Sequence, residues 1–261
     1  MKDVSYVELE SRKLDKVYFV VHFIVNNVEF KDNNGIVNKR LIYTMIGTDL
    51  SGSKKYICSF FEDEYKKPSD WYSLFQKIKS RGLEKVLYFV VPNNIQLKKV
   101  IEPNFDGVEI LDDYDNVIDK IKRYCTYKEY EKFITYIRKI YISETVEESQ
   151  IAIDEFNEVN KDNQFILDIV SEVFAKSKEV YKYDYELRRS IYLYYFVRDV
   201  KKKIWKKIKE KKYVMSKEEY VTDIYEILTH MEKYSKRHKH DVKQALNLVY
   251  ETKKDMIKCY L

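Results

Sequence analysis

VYFVVHFIVNNVEF, at residues 17–30, is a nearly uninterrupted run of apolar side chains in which β-branched and aromatic residues predominate. Such residues favour strands, and apolar side chains at consecutive positions are typical of a strand with both faces buried. Turn signals follow at residues 33–35 and 49–52, and each leads into a further strand pattern, at residues 40–47 and Lys54–Phe61. Because both turns are short, the three strands are predicted to form an antiparallel meander.

The pattern beyond residue 61 alternates between helices and strands. Residues 71–81 place apolar side chains at helical spacing, and Arg81 with Gly82 ends that helix. Residues 86–91 form a β-rich run between two helical patterns, which is typical of a central parallel strand, and a fifth strand is predicted at residues 108–111. Three meander strands followed by alternating helices and strands predict an α/β protein of the ribonuclease-H-like fold, with a five-stranded mixed sheet flanked by helices.

Helical patterns replace strands after about residue 113, at residues 114–141, 146–157, Gln164–Ser177, 187–212 and Lys217–Tyr234. They predict a large helical insertion and a helical C-terminal half. We divide the chain into a first part of the α/β core (1–113), the helical insertion (114–180) and C-terminal helices that pack back on the core (181–261). The helices are assigned to the same body as the sheet because no proline or glycine linker follows Gly107.

The composition of the 261 residues limits the class of protein. Hydrophobic residues make up 45% and charged residues 35%, a mixture that argues against disorder. No apolar stretch approaches the roughly 20 residues that span a membrane, and the N-terminus lacks a signal-peptide core, so we expect a cytoplasmic protein without a membrane partner. Cys58, Cys125 and Cys259 are too scattered for a disulfide framework or a zinc site. The net charge of +5 is a mild hint of a nucleic-acid partner.

Three phrases resemble the catalytic domain of Mutator-type insertion-sequence transposases: GTDLSGSKK at 47–55, WYSLFQKIKSRGLEKVL at 71–87 and SETVEESQIAIDEFNEV at 143–159. The resemblance is best over residues 16–160, and YDYELRRSIY at 183–192 is similar to the phrase before that family's third acidic residue. It implies a ribonuclease-H-like fold with a helical insertion before the third acid, and a protein that acts as a homodimer. The chain starts just before the first strand, so that family's N-terminal DNA-binding region is expected to be missing.

The resemblance also locates the acids with which that family holds its two catalytic metal ions, one in the first strand, one after the fourth and one on a late helix. The matching residues here are His22, Pro92 and Arg198. Imidazole suits Zn²⁺ better than Mg²⁺, proline offers no ligand oxygen, and a guanidinium repels a cation. A Cys-x-x-His pair of that family is matched by Leu111 and Tyr114. We therefore expect a catalytically inactive derivative that uses no metal and no cofactor.

A relocated metal site is the alternative for chemistry. Asp112, Asp113 and Asp115 cluster at the end of the fifth predicted strand, near the sheet edge where such sites form. Three carboxylates there would suit a divalent-metal nuclease. A solvated loop is the simpler interpretation of the same residues.

The densest basic run, RDVKKKIWKKIKEKK at residues 198–212, is predicted to be part of one helix. Helical spacing predicts that the apolar residues face the protein and five lysines face outward. The inward residues are Val197, Ile204, Trp205 and Ile208, and the outward ones are Lys202, Lys203, Lys206, Lys207 and Lys209. In the resembling transposases this helix lies beside the DNA backbone, where lysines neutralise phosphates without reading sequence. A solvated helix face is the alternative. The predicted nucleic-acid-binding residues are Arg198, Lys201, Lys202, Lys203, Lys206, Lys207 and Lys209.

Two functions of different classes follow. The first is metal-independent, sequence-tolerant DNA binding by a homodimer. The second is a protein–protein interaction or structural module that binds no nucleic acid and has an unknown protein partner. The tyrosine-dense stretch at residues 181–195 favours an interface, since tyrosine is common in protein interfaces, although partial burial explains it equally well.

Overall fold

The structure, a computed structural model, describes residues 5–31, 34–64, 67–92, 95–113, 124–192, 195–211, 214, 216–234 and 236–260. Its five strands are β1 (Val17–Lys31), β2 (Val37–Asp49), β3 (Lys54–Phe61), β4 (Lys85–Val91) and β5 (Glu109–Asp112). They form one sheet in the order β3-β2-β1-β4-β5. β2 runs antiparallel to both β1 and β3, while β4 and β5 run parallel to β1. The predicted five-stranded mixed sheet of the ribonuclease-H-like fold is confirmed.

The ends of several strands differ from the predicted ones, because backbone pairing continues beyond the buried residues from which the strands were predicted. β1 and β2 stay paired as far as Lys31 and Val37, so the hairpin is longer than its apolar part. Residues 17–24 of β1 are buried at every position, whereas beyond them exposed and part-exposed side chains appear. β5 begins and ends one residue later than predicted because its pairing with β4 runs from Glu109, opposite Tyr88, to Asp112, opposite Val91.

The helices of the described residues are α1 (Tyr6–Ser11), α2 (Pro68–Ser80), α3 (Ile95–Asn104), α4 (Tyr127–Ile142), α5 (Val146–Val159), α6 (Gln164–Ser177), α7 (Tyr185–Tyr192), α8 (Tyr195–Lys211), α9 (Lys217–Tyr234), α10 (Lys236–Thr252) and α11 (Lys254–Ile257). The predicted helix at 114–141 is shorter, because Thr126 and Glu129 form a capping box that starts α4 at Tyr127. Residues 114–123 of that prediction lie outside the described residues. The predicted single helix at 187–212 is described as α7 and α8, with residues 193 and 194 outside the described part.

Each face of the sheet carries its own apolar core. On one face α2 and α3 bury Trp71, Phe75 and Leu97 against the strands. On the other face the core runs continuously from the sheet through the insertion to the C-terminal helices; it includes Ile24 of β1 and Ile204 of α8. The helical half therefore packs directly on the sheet, while the proposed domain boundaries stay a prediction.

The C-terminal half is also joined to β1 by polar contacts. Tyr220 of α9 is buried beneath the sheet, and its hydroxyl accepts a hydrogen bond of 2.9 Å from Asn26 Nδ2. Burial raises the pKa of this phenol to about 12, so it stays protonated at neutral pH. Val214 forms a parallel bridge with Phe30 and so attaches the segment between α8 and α9 to the end of β1. These contacts hold α8 in place over the sheet.

Gly47, in the first family-like phrase, has a packing role. A Cβ built on it would lie 2.3 Å from Cδ1 of Tyr18 on β1. The Tyr18 residue is fully buried. Glycine therefore allows the close approach of the β2 backbone to an aromatic ring.

In the part of the chain that the structure describes, no helix combines the length and the apolar character that crossing a membrane requires.

Candidate nucleic-acid interface

His22 of β1 and Pro92, which follows β4, lie near the end of the sheet where the parallel strands β4 and β5 finish, which we call the sheet edge. His22 pairs with Val90 of the parallel strand β4, and Pro92 comes two residues later, directly after the end of β4. β5 ends beside them, because the Asp113 amide donates a hydrogen bond of 2.8 Å to the Val91 carbonyl. The carboxyl ends of parallel strands are where ligand sites of α/β sheets usually form.

The His22 side chain is engaged with the backbone of α7. It is buried, and its Nε2 lies 3.2 Å from the carbonyl oxygen of Ile191. A carbonyl can only accept, so this contact requires a proton on Nε2. That nitrogen is then a donor, and it cannot also offer a lone pair to a metal.

Arg198 lies in the first turn of α8, between two contacts with the sheet. Ile191 precedes it and contacts β1 through His22. Lys201 follows it by one turn, and its Nζ lies 2.8 Å from Asp113 Oδ2 at the end of β5. These contacts bring the segment that carries Arg198 to the edge where His22 of β1 and Pro92 after β4 lie.

The acids at this edge are paired with lysines. Asp113 faces Lys201, and Lys98 Nζ of α3 lies 2.7 Å from Asp112 Oδ1, at ion-pair distance but outside hydrogen-bond geometry. Among the described residues, no group of three or more histidine, cysteine or acidic side chains could hold a metal ion. Asp115 lies outside the described residues. The described residues at this edge do not fit Mg²⁺, which requires several oxygen ligands.

The inner face of α8 is apolar. Val200 and Ile204 are fully or almost fully buried, and Ile208 packs against the same core. Trp205 was predicted to face the protein, but 57% of its surface is exposed. The prediction was wrong because position 205 is one residue, about 100° around the helix, from the buried stripe.

The predicted outward lysines divide into two groups, and Lys207 belongs to an inner one. Its Nζ lies 2.7 Å from Asp223 Oδ1 and 2.7 Å from Glu226 Oε2 on α9. Burial alone lowers the pKa of Lys207, but the bonds to these two carboxylates outweigh burial and raise it. Lys211 makes the same kind of contact, with Glu219 and Asp223. The prediction that Lys207 faces outward is therefore wrong, and Lys201 is likewise held by Asp113.

The remaining predicted lysines, Lys202, Lys203, Lys206 and Lys209, are exposed. Lys202, Trp205, Lys206 and Lys209 follow one another at intervals of three, one and three residues, which places them on one side of the helix. We call these four residues the lysine–tryptophan face. Within it, Lys209 Nζ lies 5.0 Å from the centroid of the Trp205 ring. This face presents positive charge around an exposed aromatic ring.

The tyrosines at 181–195 are engaged within the chain where the structure describes their side chains. The Tyr181 hydroxyl donates to the Ile140 carbonyl, and the Tyr183 hydroxyl donates to the Glu109 carboxylate. Burial raises the pKa of Glu109, but hydrogen bonds from Lys253 and Tyr183 outweigh it, and the pKa lies below its usual value. Partial burial therefore accounts for these two tyrosines.

Arg188 was missed by sequence reasoning. It is buried, and its guanidinium donates to the carbonyls of Ser143 (2.8 Å), Glu144 (3.0 Å), Tyr141 (3.1 Å) and Tyr183 (3.1 Å). Three of these carbonyls lie at the C-terminal end of α4 in the insertion. Arg188 thus ties the insertion to the segment that leads into α8.

The comparison with known families agrees with this geometry. A family model described as "Transposase, Mutator family" matches residues 4–237. The chain belongs to the Mutator transposase family. The match includes all five strands, the insertion and the two helices α8 and α9, so the resemblance seen in the phrases is confirmed over most of the chain. A search of curated proteins found no match. His22, Pro92 and Arg198 all lie inside the Mutator transposase match, as does the lysine–tryptophan face.

Proposed function

We propose that this member of the Mutator transposase family binds DNA without a divalent metal and does not cut it. The observation that carries the proposal is the chemistry of the sheet edge described above. It carries a backbone-bonded imidazole at His22 and a proline at Pro92, Lys201 neutralises the neighbouring Asp113, and the adjacent first turn of α8 carries Arg198. Because its acids are paired with lysines and a cationic residue lies in the adjacent helix turn, this edge does not need metal ions to offset repulsion of phosphate, as unpaired carboxylates would.

The exposed lysines of α8 supply the second part of the proposed DNA contact. Lys202, Lys203, Lys206 and Lys209 are exposed, and the carboxylates of α9 that pair with Lys207 and Lys211 lie on another side of the helix. Lysines that neutralise phosphates release counterions and carry little sequence information. The binding should therefore tolerate any sequence and weaken with salt.

Metal independence can be measured with a fluorescently labelled 30-base-pair duplex of arbitrary sequence. We expect the same Kd, within about twofold, in EDTA, Mg²⁺ and Mn²⁺, because no metal takes part in the contact. The logarithm of the association constant should fall linearly with the logarithm of the salt concentration, by about 0.9 for each phosphate contacted. Supercoiled plasmid should stay intact in either metal.

Two results would contradict this proposal. Binding that is insensitive to salt would remove the phosphate contacts. Metal-dependent nicking of plasmid that disappears in Asp112→Ala would instead establish a relocated nuclease site.

Exposed apolar side chains on the insertion support a second part of the proposal, the homodimer. Tyr124 and Phe165 have ring centroids 4.5 Å apart and are 62% and 47% exposed, and Ile151 and Val159 are more than half exposed. An exposed aromatic pair with further exposed apolar residues on the same helical insertion is the kind of surface that protein interfaces use. The same residues favour the alternative function, a protein-interaction module, if DNA binding is not found.

Light scattering tests the dimer. We expect a mass of about twice the 31.7 kDa of one chain, and a monomer for Phe165→Lys combined with Val159→Lys, because burying two lysines in an interface is costly. Tyr72→Lys, at an exposed aromatic residue of α2, is the control and should leave the mass unchanged. A monomeric wild type at micromolar concentration would rule out the dimer.

A further inference from the structure

We propose that the lysine–tryptophan face binds a DNA strand with unpaired bases, one base of which stacks on the indole of Trp205. This inference rests on the proposed function, because it assigns the type of DNA that the same helix takes. It commits to single-stranded DNA, or to an unpaired stretch within a duplex, as the ligand.

The two tryptophans of the chain lie in opposite environments. Trp71 is 2% exposed and packs edge-on against Phe60 and Tyr43, whereas Trp205 is 57% exposed on the outer side of α8. Phosphate contacts made by lysines need no aromatic ring. A ring that can stack on a base adds binding energy only when the ligand has a free base face, and in a duplex each base is already stacked between its neighbours.

Lysines lie both before and after Trp205 along the helix axis, so positive charge flanks its ring at both ends. Lys202 comes three residues before Trp205, and Lys206 and Lys209 follow it on the same side. The span from residue 202 to 209 is about 10 Å along the helix axis. Phosphates on both sides of a stacked base can therefore each approach an ammonium group. A basic surface with an interposed aromatic ring is the usual design of sequence-tolerant single-strand binding.

Lys209 contacts the same ring directly. Its Nζ lies 5.0 Å from the Trp205 ring centroid, and its side chain is exposed. The ring attracts this cation through its π face, and the contact is weak where water surrounds it. A base can displace the ammonium from the ring, and the flexible lysine can then reach the adjacent phosphate. Both groups thus gain a partner when a strand binds.

Intrinsic fluorescence gives a direct test, because the chain has only two tryptophans and one of them is buried. Titration with the oligonucleotide dT20 should quench the emission of Trp205 to a saturating level. A blunt 20-base-pair duplex should bind in a salt-dependent manner but leave the emission nearly unchanged. The oligonucleotide U20 serves as the RNA arm.

Substitution of the ring tests the same contact independently. Trp205→Ala should weaken dT20 binding about 5- to 100-fold, in line with the loss of one base–aromatic stack, and change duplex binding less than twofold. Trp205→Phe should retain most of the dT20 affinity. Tyr250→Ala removes another exposed aromatic residue, on α10, and should change neither affinity.

The outcomes separate this inference from the proposed function. The stacking site is wrong if dT20 leaves the wild-type emission unquenched and Trp205→Ala binds dT20 with full affinity. If the duplex still binds in a salt-dependent manner, the proposed function stands. Absence of binding to every nucleic acid overturns both proposals. Tighter binding of U20 than of dT20 overturns the assignment to DNA.

Discussion

Reversing the charge of Lys202, Lys206 and Lys209 together, each to glutamate, is expected to weaken duplex DNA binding at least about 100-fold at 0.1 M salt. In the proposed DNA contact, each substitution would remove an ammonium group that neutralises a phosphate and would place a negative charge beside the DNA backbone. The slope of the salt dependence should also fall, by about 0.9 for each phosphate that is no longer neutralised. Anisotropy titrations at several salt concentrations measure both quantities.

The choice of lysines follows from the packing of α8. Lys207 would be a poor probe, because its ammonium lies between Asp223 and Glu226, and a glutamate there would repel both. Lys202 and Lys209 make no contact with α9 carboxylates in the described structure, and Lys206 makes only a loose contact of 3.8 Å with Glu210 of its own helix. The triple variant should therefore keep the helical content and the melting temperature of the wild type.

A control with the same change in total charge is available. Lys128 and Lys132 on α4 and Lys243 on α10 are exposed, and their reversal lowers the net charge of +5 by the same six units. If DNA binds at α8, this control should weaken binding less than about fivefold. Equal decreases in affinity in the two variants would mean that total charge, and not this face, governs the interaction.

Replacing Arg188 by alanine is expected to destabilise the protein by about 3–5 kcal/mol, because several hydrogen bonds from a charged group, worth roughly 1.5–3 kcal/mol each, are lost together. Arg188 is 2% exposed, and its guanidinium donates to four backbone carbonyls that would lose this partner; the bond to the Tyr141 carbonyl is fully buried. It also places a positive charge at the C-terminal end of α4, where the helix dipole favours one. Burial lowers the pKa of Arg188, yet a guanidinium remains charged at neutral pH.

Urea denaturation of Arg188→Ala measures this destabilisation, and Arg188→Lys should fall between the wild type and the alanine variant, because one ammonium cannot reach four acceptors. Arg189→Ala is the matched control. Arg189 Nη1 lies 3.7 Å from Glu186 across one turn of α7, a partly exposed pair whose removal should cost less than about 1 kcal/mol. A decrease below about 1 kcal/mol in Arg188→Ala would mean that water or local rearrangement satisfies the carbonyls.

Charge pattern on neighbouring helices could have corrected the assignment of the lysines. Lys207 and Lys211 are four residues apart on α8, and Glu219 and Asp223 have the same spacing on α9. Two antiparallel helices with complementary spacing can pair these charges. Helical periodicity of α8 alone could not reveal this, because it separates apolar from polar sides and does not tell which polar side faces another helix.

The sequence itself determined the antiparallel meander and the position of its apolar runs in the buried part of the sheet. A strand buried on both faces must be apolar at consecutive residues, and short turns force antiparallel neighbours, so the meander and the central position of residues 17–24 are visible in local patterns. The same holds for the family-like phrases, since they are continuous stretches of chain. Local signals suffice wherever the physical constraint acts between residues close in sequence.

Only the tertiary structure decided which polar side chains are available to a ligand. Asp113 and Lys201 are 88 residues apart and pair because β5 ends beside α8. Trp205 is exposed and Arg188 buried because of how α7 and α8 lie across the sheet and the insertion. Whether a charge is paired depends on the nearest opposite charge in space. Electrostatic attraction depends on the distance between two charges and not on their separation along the chain.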